Sequence, residues 1–303
     1  MAQLRYDGRV AVITGSGRGL GRAYAELLAS RGAKIVVNDI GGSLKGVGVD
    51  AGPADEVVQA IKAGGGEAVS CTESVATPEG CKAIVQAAMD AFGRIDILIH
   101  NAGNVRRGSL KEMPQEDFEA SIDVHFRGAF YLVRAAFPLM SDAKYGRVVL
   151  TSSDVGLYGH HNTVNYAMSK SGMIGLTNTI ALEGAADNIK ANAIVPAAVT
   201  RMAEGVDTSQ FPPMPPEMVA APVAWLAHES CSVTGEYIIA GAGRVARAYV
   251  AETQGAYRPA WTLEDVAADI DQIRKMDPPV LFSPVPNGHF SHLGYGFAMA
   301  KKT

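Results

Sequence analysis

Short apolar runs recur along the chain at residues 10–13, 34–37, 95–99, 147–150, 191–195 and 237–239, rich in Val and Ile. A weaker run lies at 67–71. Continuous apolar runs of this length read as strands buried on both faces. Between them, apolar residues return every three or four positions over 21–30, 54–63, 78–92, 116–140 and 164–184, the period of helices packed on one side. Strand–helix alternation implies right-handed crossovers and hence an α/β fold. The expectation is a doubly wound, seven-stranded parallel sheet with helices on both faces.

Two regions break the rhythm. Residues 200–222 hold Pro212, Pro213, Pro215, Pro216 and Pro222 with Met202, Met214 and Met218. Prolines there exclude a long regular helix and predict a loop or short helices over the carboxyl edge of the sheet. Beyond Gly243 no strand pattern recurs. Thr262 with Asp265 three residues later predicts a capped helix start, and Pro278, Pro279, Pro284 and Pro286 predict an extended tail. The organisation expected is one domain over 1–245 that includes the catalytic site, and a C-terminal extension over 246–303.

Composition narrows the class of protein. Of 303 residues 48% are hydrophobic and 19% charged, enough for a large core and too apolar for disorder. A net charge of −4, with signs mixed along the chain, gives no general attraction to nucleic acid or an anionic membrane. Cys71, Cys81 and Cys231 are too widely spaced for a disulfide framework or a zinc site. The start, Met1-Ala2-Gln3-Leu4, has no signal core, and the terminal Lys301-Lys302-Thr303 is not a Ser-Lys-Leu address. A cytoplasmic protein is expected.

The chemistry lies in three places. Thr14-Gly15-Ser16-Gly17-Arg18-Gly19-Leu20-Gly21 joins the first strand to the first helix, the context in which a glycine turn cradles a dinucleotide pyrophosphate at a helix N-terminus. Asn38-Asp39 closes the second strand. A carboxylate there accepts hydrogen bonds from the adenosine ribose and repels a 2′-phosphate, so NAD is expected over NADP; Arg18 is the cation that argues the other way. Tyr166 and Lys170 share one helix face, with Ser153 upstream at the end of the fifth strand. A free phenol has a pKa of ~10, and lowering it by about three units takes roughly 4 kcal/mol. The Lys170 ammonium and an oxidised nicotinamide both favour the phenolate. Tyr166 is then the base that removes a hydroxyl proton, with Ser153 bonded to the same oxygen.

This ordered set, completed by Asn101-Ala102-Gly103 and Pro196, resembles the short-chain dehydrogenase/reductase family over residues 5–245. The resemblance implies oxidation of a secondary alcohol to a ketone. It also implies dinucleotide contacts from Gly15, Arg18, Gly19, Leu20, Asp39, Ser74, Val75, Asn101, Ala102, Gly103, Tyr166, Lys170, Pro196 and Val199. Within the family, Val37-Asn38-Asp39-Ile40-Gly41-Gly42, Asp123-Val124-His125-Phe126-Arg127-Gly128 and Trp225-Leu226-Ala227-His228 are most similar to the (3R)-hydroxyacyl-CoA dehydrogenase domains of multifunctional enzymes. A (3R)-hydroxyacyl-CoA is therefore the substrate implied; a free hydroxysteroid or other secondary alcohol is the alternative. An idle dinucleotide-binding regulator is a third reading, against which both Tyr166 and Lys170 are present. Homodimers or homotetramers are implied through the 116–140 and 164–184 helices.

Two departures from the family pattern stand out. His125 occupies a position where most members have Asn, either as a member of a proton relay or as a packed histidine. Ala197 replaces the glycine usual after Pro196, which bears on Val199 as a carboxamide contact. Arg106 and Arg107 follow the Asn101-Ala102-Gly103 turn, as partners for CoA phosphates or as a solvated loop. His228, Cys231, His160 and His161 lack the spacing of a metal site, so no metal is expected.

Overall fold

The computed structural model describes residues 3–203, 207–276 and 278–300. The termini that entered the compartment expectation, Met1-Ala2 and Lys301–303, lie outside the described residues. The chain forms two compact units, Met1–Arg247 and Ala248–Thr303.

The first unit alternates β1 (Val10–Thr14), α1 (Gly19–Ser30), β2 (Lys34–Asn38), α2 (Gly52–Ala63), β3 (Ala68–Cys71), α3 (Pro78–Phe92) and β4 (Ile97–His100). It continues through α4 (Gln115–Ile122), α5 (Gly128–Asp142), β5 (Gly146–Thr151), α6 (Asp154–Tyr158), α7 (Val164–Glu183), β6 (Ile189–Ala197), α8 (Glu217–Ala227), β7 (Glu236–Gly241) and β8 (Arg244–Ala248). The sheet order is β3-β2-β1-β4-β5-β6-β7-β8. The first seven strands run parallel in the registers Thr14↔Asn38, Thr14↔His100, His100↔Leu150 and Leu150↔Ala193, which bring their carboxyl ends to one edge. All residues of β1, β4 and β5 are buried, as parallel strands covered on both faces require. The order reverses between β1 and β4, and a cleft opens at the carboxyl edge of such a switch point.

The sheet has one strand more than the seven expected. Ala242 (φ 50°) and Gly243 (φ 78°) form a two-residue turn, a link that only an antiparallel pair accepts, so β8 folds back beside β7. The exposed residues of β8 carry no apolar run, which is why the pattern beyond Gly243 is silent there.

The helix expected over 116–140 is also more than one helix. Between α4 and α5 the backbone widens into a π-helical turn over Asp123–Arg127. The extra residue turns His125 into the protein, where it is buried at 1% exposure. In the 200–222 region a 3₁₀ turn, Arg201–Ala203, precedes α8, which accepts Pro222 within its span despite the lost backbone donor.

The second unit contains β9 (Ala251–Glu252), α9 (Leu263–Ile273), β10 (Val280–Leu281) and α10 (His289–Ala300). Thr262 caps α9 with the reciprocal Asp265 bond that the sequence pattern predicts. The extended tail is interrupted: α10 forms once Pro286 is passed.

Among the described residues, no helix is long and apolar enough to cross a membrane. No group of three or more His, Cys, Asp or Glu among them is placed to hold a metal. His228 gives its ring nitrogens to the Arg5 carbonyl at 2.9 Å and the Ser230 hydroxyl at 2.8 Å.

Candidate active site

The glycine turn is held open by β4. Thr14 Oγ1 accepts the backbone N–H groups of Asn101 and Ala102, each at 3.1 Å, and pairs with His100 Nδ1 at 3.0 Å. Asn101 Nδ2 donates to the Thr14 and Gly15 carbonyls at 3.2 and 3.0 Å. Gly15 has φ +64°, and a Cβ there would stand 2.8 Å from Ala102 Cα. No side chain caps the N-terminus of α1 at Arg18, which leaves its amides free for an anion. The turn, Arg18, Gly19 and Leu20 border a cleft of about 350 Å³ that also includes Asn101, Gly103, His125, Thr151, Tyr166, Lys170 and Pro196.

Beside it lies a smaller hollow of about 80 Å³, bordered by Gly15, Asp39, Ser74, Val75, Ala102 and Gly103 among others. The Asp39 carboxylate accepts the Gly17 and Gly41 N–H groups at 2.9 and 2.8 Å, which fixes it at the end of β2. Each oxygen retains a lone pair for another donor. Arg18 borders the larger cleft and not this hollow. Free helix amides, a glycine-rich turn and a fixed carboxylate fit a dinucleotide.

Val199 departs from the expectation. Its N–H donates to the Met214 carbonyl at 2.8 Å, so that amide is engaged within the protein. Ala197, Ala198, Thr200 and Arg201 border the cleft instead.

Tyr166 and Lys170 border the large cleft, and Ser153 borders a neighbouring space together with Tyr166. Tyr166 and Lys170 rise from α7, whose buried stripe Asn165, Ser169, Met173, Thr177 follows a four-residue spacing. Three of these four residues are polar, which hides the stripe from a purely hydrophobic pattern. Asn165 Nδ2 ties the helix to the Arg106 and Asp117 carbonyls at 3.1 and 3.2 Å. Lys170 is 2% exposed, its ammonium donates to the Thr151 carbonyl at 2.7 Å, and it stands 5.5 Å from the Tyr166 ring centre. Burial pushes its pKa down to about 7.

Burial pushes the Tyr166 phenol above its ordinary value; the Ser153 hydroxyl acts in the opposite sense and the Asp154 charge adds to the rise. The chain's own groups thus favour the protonated tyrosine. The positive charge that favours phenolate must come from Lys170 in its charged form and from the oxidised cofactor.

His125 meets Tyr166 edge to face, ring centres 5.1 Å apart. Its Nε2 lies 2.9 Å from the Asn104 carbonyl and 3.1 Å from the Asn104 N–H, so either neutral tautomer finds a partner. Burial holds the imidazole well below its usual pKa, hence neutral. Among the described residues its Nδ1 and Thr151 Oγ1 are buried without partners, and both residues border the large cleft. Two such atoms there suit a bound polar group or water. Gly103 is required beside this ring, because a Cβ there would come 2.5 Å from His125 Cε1.

A third space, about 270 Å³, is bordered by Val105, Arg106, Arg107, Ser153, Val155, His160, Thr163, Tyr166 and Met202. Arg106 is spent on Asp117 at 2.5 Å and the Lys45 carbonyl at 2.8 Å; Arg107 is exposed at the rim. The sequence reading missed Thr151, Asp154, Thr200 and Arg201. The acid directly after Ser153 was the available signal for Asp154.

A buried ammonium has a cost that is visible as a function of pH. An unfolded lysine titrates near ~10.4. Between pH 7 and ~10 the unfolded chain therefore holds a proton that folded Lys170 has released, and stability rises with pH through that window. Lys170→Met is expected to melt several degrees above the parent at pH 7, with the gap closing toward pH ~10. Parallel melting curves across this range count against the burial cost.

The short chain dehydrogenase family profile matches residues 9–210. Peroxisomal multifunctional enzyme type 2 of Drosophila melanogaster is 48% identical over 255 residues, covering 84% of this chain and 42% of that protein. A short-chain type dehydrogenase/reductase of Mycobacterium tuberculosis is 42% identical over 266 residues, covering 86% of this chain and 92% of the other. The solved full-length Drosophila multifunctional enzyme superposes with a TM-score of 0.80 at 35% identity, covering 98% of this chain and 50% of that one. The chain spans less than half the length of the Drosophila protein it matches in sequence.

Proposed function

This chain belongs to the short-chain dehydrogenase family, and from that premise we propose that it oxidises a (3R)-hydroxyacyl-CoA to the 3-ketoacyl-CoA with NAD. The observation that carries the proposal is the position of Tyr166, which borders both the glycine-turn cleft and the 270 Å³ pocket. A cofactor in the first and a substrate in the second meet at one phenol oxygen.

The residues divide the work by chemistry. Gly15, Arg18, Gly19, Leu20 and Asn101 hold the pyrophosphate side, and Asp39, Ser74 and Val75 the adenosine side. When bound, the oxidised nicotinamide supplies the hydride acceptor. Tyr166 Oη takes the proton of the substrate hydroxyl, making one O–H bond as the substrate's breaks. Ser153 fixes the substrate oxygen. Lys170 supplies positive charge beneath the phenol, and the free Nδ1 of His125 holds a water beside it. Val105, Val155 and Met202 give the pocket an apolar wall for an acyl chain, and Arg107 is the free cation for a CoA phosphate. Phe130 and Met168, exposed on α5 and α7, provide the faces for a homodimer or homotetramer.

Support for NAD comes from Asp39, whose carboxylate is fixed beside the small hollow by the Gly17 and Gly41 N–H groups; Arg18 stands outside it, and Arg201, which also borders it, donates to the Gly42 carbonyl at 3.3 Å. A relative named 3-oxoacyl-[acyl-carrier-protein] reductase, of Synechocystis sp., 35% identical over 78% of this chain, supports the acyl class.

One kinetic matrix tests the reading: (3R)- and (3S)-hydroxyacyl-CoA esters and a free hydroxysteroid, each with NAD and NADP, followed as reduced cofactor. Turnover confined to the (3R) esters, with kcat/KM for NAD at least ~10-fold above NADP, is expected. A preference for NADP overturns the Asp39 assignment. Turnover of free alcohols alone removes CoA and leaves the proton chemistry in place.

A further inference from the structure

Asp154 has no part in the mechanism above, although it touches the machinery directly. It opens α6, and its Oδ1 accepts the Ser153 hydroxyl at 2.8 Å and the Val155 N–H at 2.8 Å. The same Val155 N–H points at Ser153 Oγ, 3.1 Å away. The carboxylate borders the cleft shared by Tyr166 and Lys170.

A serine hydroxyl has one proton and two lone pairs. Here the proton goes to Asp154 and one lone pair receives the Val155 N–H. What Ser153 offers the cleft is a lone pair. The geometry points to Asp154 as a positioning residue that sets the direction of the Ser153 hydrogen bond: it draws the serine proton away from Tyr166, so that Ser153 meets the neutral phenol as an acceptor. Its catalytic meaning rests on the roles given above to Ser153 and Tyr166; the hydrogen-bond direction does not.

The arrangement suits oxygens that carry a proton. The one remaining lone pair takes the proton of a neutral phenol or of an alcohol, one at a time, whereas a phenolate or a ketone needs the serine proton that points at Asp154. The carboxylate charge raises the Tyr166 phenol directly, and turning the serine proton toward Asp154 weakens the opposing, lowering effect of the Ser153 hydroxyl. The other ionisable groups around the phenol are Lys170 on the same helix, His125 in the π-helical turn, Arg106 and Arg107 after β4, and His160 after α6. His125 is neutral and Arg106 is paired with Asp117, which leaves Asp154 as the acidic influence on Tyr166.

The test needs no substrate. Ionisation of Tyr166 is read as the ultraviolet phenolate difference between each protein and its Tyr166→Phe counterpart, which subtracts the other tyrosines. Asp154→Ala is expected to lower the Tyr166 midpoint by about one pH unit. Asp154→Asn retains an acceptor without the charge, so it should give a smaller fall. Asp154→Glu should restore the parent midpoint. The deciding comparison is a double-mutant cycle. In a Ser153→Ala background, Asp154→Ala should move the midpoint by less than half as much as in the parent.

Equal shifts in the two backgrounds mean that Asp154 acts by charge alone and overturn the proposal. So does an unmoved midpoint in Asp154→Ala with an unchanged circular dichroism spectrum. In turnover, the acid limb of kcat/KM for oxidation should move with the midpoint, whichever alcohol is the substrate. A protein that oxidises none of the tested alcohols yet shows the expected cycle would refute the proposed function and retain the role of Asp154.

Discussion

Tyr166→Phe is expected to lower kcat for alcohol oxidation by roughly 10²- to 10⁴-fold, the usual contribution of a positioned general base, and to leave NADH affinity close to the parent value. Among the described residues Tyr166 and Met202 are common to the glycine-turn cleft and the 270 Å³ pocket, and of the two only Tyr166 carries an oxygen that can take the proton. The ring itself packs edge to face on His125, a contact that phenylalanine preserves. The loss should therefore fall on kcat with KM little changed, the pattern of an interaction made in the transition state. Steady-state rates beside circular dichroism and NADH titration decide the matter. Retention of more than about a tenth of the parent turnover would mean that Tyr166 is not the base.

The second large effect is expected at Gly21. A Cβ built there meets the Gly15 carbonyl oxygen at 2.2 Å and Asn101 Nδ2 at 2.7 Å. Both contacts belong to the clamp between the glycine turn and the end of β4. Neither atom can give way without moving backbone or breaking the Asn101 bonds. Gly21→Ala is expected to cost about 1–3 kcal/mol of stability, the usual penalty for overpacking, and to weaken NADH binding by at least ~10-fold, about 1.4 kcal/mol.

Gly19→Ala is the informative companion. Its Cβ finds only Thr200 carbons at 3.5 and 3.6 Å, so its cost is the positive φ of +53° rather than a collision. About 1 kcal/mol is expected there. Urea melts and NADH titrations of the two variants should rank Gly21→Ala as the more damaging in both. Equal ranking would show that the turn is not closed on Gly21 as tightly as these distances indicate.

Sequence alone determined the frame of this protein. Buried parallel strands need apolar residues on both faces, so 10–13, 34–37, 95–99 and 147–150 stand out without any tertiary information. The glycine turn is legible because its context, strand before and helix after, is local. The spacing of Tyr166 and Lys170 is legible because one helical turn fixes it, and the Thr262–Asp265 cap for the same reason.

What the tertiary structure decided are features that depend on partners distant in sequence. The π-helical turn over Asp123–Arg127 has no local signature, yet it is what seats His125 against Gly103 and Tyr166. Val199 was assigned by its place after Pro196, but its amide belongs to Met214, a contact across a loop that no spacing encodes. Arg106 and Arg107 are equivalent as neighbours in sequence; Asp117 takes one and leaves the other free. Burial raises the Tyr166 phenol within the chain itself, because desolvation is a property of the assembled site and not of the motif. The chain pattern specified which residues form the elements; only the fold set the solvation and hydrogen-bond partners that govern their chemistry.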